Sequence, residues 1–73
     1  MNLSIYSVKD VVANQFSDIK IFSNDELAKR WFTYTFCDSK IKQDLQLFYL
    51  GSYDILTGAI DPHVDFIMGG SDL

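Results

Sequence analysis

The stretch Leu45-Gln46-Leu47-Phe48-Tyr49-Leu50 is apolar on both of the faces that a strand presents. Such a strand must be flanked and covered on both sides, so it belongs at the centre of a sheet. A turn signal comes next. Asp54 suits the first position of a type I turn, and Gly58 suits the left-handed residue that closes a bulged hairpin loop. Residues 45–53 and 59–67 are therefore expected to pair antiparallel. Pro62 lacks a ladder donor, which places the second of these strands at an edge.

Upstream, Leu3, Ile5 and Ser7 alternate with Ser4, Tyr6 and Val8, a second strand pattern with apolar residues on both sides. Residues 11–17 read as a connector. Ile19, Ile21 and Phe22 form a short apolar patch, either a strand or a loop packed on the core. Ser23-Asn24-Asp25-Glu26 fits a capping box with Ser23 as the cap and Glu26 reaching back. Leu27, Ala28, Trp31, Phe32 and Thr35 then recur at three- and four-residue spacing, which predicts a helix from Asn24 to about Cys37. Trp31 on that stripe reads as a core anchor.

The fold class implied is α+β: one helix packed on a small antiparallel or mixed sheet of three or four strands, with a C-terminal hairpin. If the first strand lies parallel to the 45–50 strand, the crossover through the helix is right-handed. At 73 residues the chain is expected to form a single domain over 1–68, with Gly69 to Leu73 a flexible tail. Eleven aromatics exceed what so thin a core hides, and this surplus points to a homodimer.

The net charge of −4 is split unevenly along the chain. All six bases lie within residues 1–42, which carry +1, whereas residues 43–73 carry five aspartates and no base. Asp44, Asp54, Asp61 and Asp65 are candidates for an acidic face that meets a basic partner. Lys29, Arg30, Lys40 and Lys42 are the candidate nucleic-acid contacts, and Phe48, Tyr49 and Tyr53 a candidate stacking platform. The acidic balance argues against a cationic coat for nucleic acid.

Catalysis finds little support. Cys37 and His63 are each alone of their kind, with nothing local to activate them. Cys37 reads as a buried or half-buried structural thiol, and a single cysteine without a signal peptide fits a reducing cytoplasm. Asp61, His63 and Asp65 alternate along one strand, but ligands so spread do not close around a cation, and no metal or other cofactor is expected. No apolar run reaches the length of a membrane span.

Taken together, Ile5-Tyr6-Ser7-Val8-Lys9-Asp10, the helix with Ala28, Arg30 and Phe32, and Leu47 to Asp54 followed by Thr57-Gly58 resemble the small nonstructural protein of gokushoviruses, single-stranded-DNA phages of the microvirus group. The resemblance runs from about Leu3 to Pro62. It implies a role in the switch to single-stranded DNA synthesis or in DNA binding. The function expected on that basis is a non-enzymatic accessory protein in the host cytoplasm. It acts in genome synthesis or packaging mainly through protein contacts, as a homodimer with a phage or host protein of basic surface. Two alternatives stand beside it: a weak single-stranded-DNA binder, and an acidic inhibitor of a host nucleic-acid-binding defence protein.

Overall fold

The computed structural model describes residues 2–73. Five strands and one helix are arranged in the order β1 (Asn2–Asp10), β2 (Gln15–Phe16), β3 (Lys20–Phe22), α1 (Asp25–Phe36), β4 (Leu45–Asp54) and β5 (Ile60–Gly69). All pairings are antiparallel. The main path of the sheet is β2-β1-β4-β5, and β3 pairs with β1 as well. The two short strands raise the count to five, above the expected three or four.

The antiparallel pairing of β1 with β4 has a simple cause. β3 runs back along β1, with Phe22 opposite Ser4, so the chain returns to the beginning of β1 before the helix starts. Twelve helical residues then span about 18 Å at about 1.5 Å each. That carries the chain to the far end of β1, where Leu45 pairs with Asp10 and β4 begins its run in the opposite direction. No parallel crossover is needed.

The hairpin forms as the residues dictate. The Gly58 N–H donates to the Asp54 carbonyl at 2.8 Å, and the Leu56 N–H donates to the Asp54 carboxylate at 2.9 Å. Gly58 adopts φ +77°. Gly51 adjoins a register shift at Leu50 that affects both ladders of β4, with φ +137°. A Cβ there would run into the Asp61 carbonyl oxygen of the neighbouring strand, so the bulge tolerates only glycine.

The helix cap is one residue later than the capping-box pattern implies. Asn24 holds extended backbone angles, and its side-chain oxygen accepts the Leu27 N–H at 3.0 Å. Asn24 is as good a cap as serine, and it shifts the third helical position from Glu26 to Leu27. Glu26 instead lies 3.5 Å from Lys29. The buried stripe is Ala28 and Phe32, flanked by Trp31 and Phe36 packed against the core, whereas Thr35 is exposed.

The core lies between α1 and one face of the sheet, and joins Tyr6, Val8, Ala28, Phe32, Leu45 and Leu47. An aromatic chain runs through it from Tyr49 to Tyr6, Phe22, Trp31, Phe36 and Phe32, with successive ring centroids 5.3–6.0 Å apart. The tilted and edge-on angles are those that aromatic quadrupoles favour.

Residues 69–73, expected as a flexible tail, pack against the body. Gly69 ends β5 rather than trailing it, and Gly70–Asp72 form a 3-10 turn. Leu73 packs on the core, and the Lys42 ammonium donates to the Leu73 carbonyl at 3.3 Å. A Cβ on Gly70 would run into the Lys42 carbonyl oxygen, so glycine is what lets this turn close against the segment before β4. Cys37, expected buried or half-buried, is exposed at the end of α1 because the helix turns its stripe away from that position. No helix among the described residues is long and apolar enough to cross a membrane.

Candidate functional site: the open face of the sheet

Register decides which side chains share the face opposite the helix. Ser7 pairs with Phe48, Lys9 with Gln46, Lys9 with Phe16, and Phe48 with Phe66. Directly paired residues lie on one side of a sheet. Tyr6, Val8, Leu47 and Leu45 occupy the helix side, so Phe16, Phe48 and Phe66 form a row across β2, β4 and β5 on the other. Their ring centroids stand 5.4 and 5.7 Å apart, edge to face. Phe16 is 45% exposed and Phe66 55%. The Lys9 ammonium stands 5.7 Å from the centre of the Phe16 ring, a cation–π distance.

The expected platform of Phe48, Tyr49 and Tyr53 is therefore only partly right. Phe48 is its middle member. Tyr49 faces the helix and packs edge-on against Tyr6, and Tyr53 lies beyond the bulge, opposite Leu3 and Ile60. Phe16 and Phe66 were missed because their partners are distant in sequence. The only local trace of Phe66 was its alternation with Asp65.

The candidate basic residues do not form one patch. Lys29 lies beside Glu26, and with the exposed Arg30 it borders a shallow groove on the outer side of α1. Lys40 is exposed in the turn after the helix. Lys42 is committed to structure, donating to the carbonyls of Cys37 and Leu73. Lys20, which no local pattern marks, stands 5.9 Å from the centre of the Trp31 ring.

The candidate acidic residues are also separated. Asp44 precedes β4 and Asp54 ends it, so about 33 Å of strand lies between them at about 3.3 Å per residue. Asp54 is engaged in its own turn. Asp61 and Asp65 both lie on β5, on either side of the register shift. His63 Nε2 approaches Asp65 Oδ2 at 2.9 Å, and the His63 ring stands 6.3 Å from that of Tyr49. Asp65 pairs with Tyr49, which puts this pair on the helix side of the sheet, away from the phenylalanine row. Among the described residues no three His, Cys, Asp or Glu side chains converge as metal ligands do.

A second concavity, of about 300 Å³, opens where the β1–β2 turn meets the end of the helix, between Val8, Phe16, Phe36, Ile41 and Leu45. Its walls are mostly apolar, with Asp10 and Gln15 at the polar margin. Asp10 is occupied there, accepting from the backbone of Val12 and Ala13 at 3.0 and 3.1 Å. Neither concavity carries a nucleophile beside a base.

Comparison with known families matches the model of the phage ORF5 protein over residues 3–73. The chain belongs to the phage ORF5 protein family. The match takes in both the phenylalanine row and the packed segment 69–73. It supports a phage accessory protein, the coarser part of what the resemblance implied. No curated protein matched, and no solved structure did either.

Proposed function

We propose that this phage protein is a non-enzymatic accessory factor that acts in the host cytoplasm during single-stranded genome synthesis or packaging. It works through protein contacts made by the open face of its sheet, and as a homodimer. The observation that carries this reading is the row of Phe16, Phe48 and Phe66, which no other layer of the chain covers among the described residues. A contiguous apolar patch left exposed by a small protein usually marks a surface made for a partner. The test is to mix the protein with the phage replication initiator and monitor complex formation. The expected result is a complex weakened at least about tenfold by Phe66→Ser, since one buried aromatic anchor contributes about 2 kcal/mol or more at such interfaces. Absence of any complex overturns it.

The second reading is direct binding of single-stranded DNA. It is favoured by Lys9 beside Phe16 and by the placement of Asp65 on the other side of the sheet, which spares that face its negative charge. Exposed rings offer stacking surfaces to bases. With one lysine on the row, affinity would fall with salt at a log–log slope of about −0.7, the value for about one phosphate contact on a single strand. A slope of zero, or no oligonucleotide binding, discards this reading. The distance from Asp44 to Asp54 weighs against the phosphate-mimicking inhibitor.

A further inference from the structure

The two edges of the sheet differ. On one side β1 is blunted by two short strands, β2 of two residues and β3 of three. On the other side β5 runs for ten residues and, among the described residues, pairs only with β4. The backbone N–H and C=O groups on its outer side therefore have no partner strand among the described residues, and Pro62 offers no N–H. Long edges of this kind are usually guarded by charged side chains, prolines or bulges. β5 carries Asp61, Pro62 and Asp65 and a bulge at Ile67, but no lysine, so a partner that neutralises the aspartates and tolerates Pro62 is what this edge admits.

We propose that a second copy of this chain pairs along this free edge, antiparallel and centred on Val64. This inference rests on the homodimer of the proposed function and names its seam. The sequence of β5 is self-complementary about Val64. With Val64 opposite its own copy, His63 faces Asp65 of the second copy, and Phe66 faces Pro62, each twice by symmetry. Asp61 faces Ile67. Directly opposed residues have Cβ atoms about 4.5–5.5 Å apart. That is nearer than the i, i+2 spacing along one strand, so each His63, already 2.9 Å from its own Asp65, gains a second carboxylate.

Neighbouring registers are worse. Moving the centre to His63 sets Asp61 against Asp65 of the other copy, and moving it to Asp65 sets that carboxylate against itself. Like charges in direct opposition destabilise a ladder. The side chains of His63, Val64 and Asp65 are exposed and available for the contact, Val64 at 64%. A two-fold axis perpendicular to the sheet keeps the same face on the same side in both copies. The two rows of Phe16, Phe48 and Phe66 then lie on one continuous surface, with both helices behind it.

The test combines mass with position-specific cross-linking. Sedimentation of the full chain is expected to show a species twice the 8.4 kDa of the chain. Val64→Lys is expected to weaken it at least about tenfold while leaving the far-ultraviolet circular dichroism unchanged. In a Cys37→Ser background, Val64→Cys is expected to form a disulfide-linked dimer under mild oxidation, because opposed Cα atoms at about 4.5–5.5 Å lie within bridging distance. Leu56→Cys, at the exposed hairpin tip, is expected not to. A dimer that survives Val64→Lys but dissociates in Phe16→Ser sinks this seam and leaves the open face as the contact surface. A chain that stays at 8.4 kDa at all concentrations sinks both the seam and the homodimer, while the mixing experiment still decides the heterologous contact.

Discussion

Tyr6 shows how one residue joins the sheet to the helix. It is fully buried, and its hydroxyl donates to the Asp25 carboxylate in the first helical turn. Burial, with the Asp25 hydrogen bond and charge adding to it, pushes its pKa up from 10.0 to about 12. A raised pKa means that the folded state holds this proton more tightly than the unfolded state. The stabilisation is complete below pH 10 and is lost as pH rises from 10 through about 12. Stability measured by urea unfolding is expected to fall across that window, and Tyr6→Phe is expected to flatten the fall. The same substitution is expected to cost about 0.5–1.5 kcal/mol at neutral pH, the net worth of one hydrogen bond. Two glycines make a matched pair at the same scale. Both have positive φ, but a Cβ on Gly58 meets nothing within 4 Å, while one on Gly51 meets a backbone carbonyl. Gly58→Ala is expected to cost about 1–2 kcal/mol, the left-handed penalty alone, and Gly51→Ala clearly more. Urea midpoints of the two variants decide it. Both glycines stood in plain view in the sequence, yet only the one in the turn announced its role. The demand on Gly51 comes from Asp61 across the ladder, and no local pattern encodes that.

Among the elements, the helix was the most legible and its first residue the least. Ser23 and Asn24 are both competent caps by type, and the extended backbone at Asn24 with its bond from Leu27 N–H makes it the cap. Asn24→Ala is expected to cost about 1 kcal/mol and Ser23→Ala less than about 0.5 kcal/mol, read from thermal or urea unfolding. The reverse order would return the cap to Ser23. The hairpin β4–β5 was legible because its turn chemistry is local: Asp54 and Gly58 do in space what their types suggest. β2 and β3 were not, since two or three residues carry no period, and their pairing exists only because β1 lies beside them. The alternation of Asp61, His63 and Asp65 was visible, but alternation alone does not choose which aspartate the imidazole meets. His63 joins Asp65.

For the whole molecule, the principal extents of 40 × 23 × 16 Å describe two layers, one helix on one sheet. Two layers leave one sheet face open, which is where part of the aromatic surplus goes. Six rings build the inner layer and three form the outer row. Closure of the fold at its far end depends on Leu73, which packs on the core and whose carbonyl receives Lys42. Leu73→Ala is expected to lower stability by about 1–2 kcal/mol, less than for a fully buried leucine because the site is half-open. A change near zero in urea unfolding would return residues 69–73 to the status of a free tail.

By itself the sequence determined the α+β class, the helix, the hairpin and the likeness to a phage family, because period, capping and turn chemistry act within a few residues. It also held the asymmetry of charge, in which every base precedes every residue of the −5 segment. Only the tertiary structure decided how that charge is distributed. The length of β4 separates Asp44 from Asp54, the ladder turns His63 and Asp65 toward the helix side, and Lys42 is engaged by the chain's own carbonyls. Pairing across the ladders, Phe16 with Lys9, Ser7 with Phe48 and Phe48 with Phe66, sets which side chains share a face. That is why Phe16, Phe48 and Phe66, unremarkable along the chain, became its most exposed aromatic row.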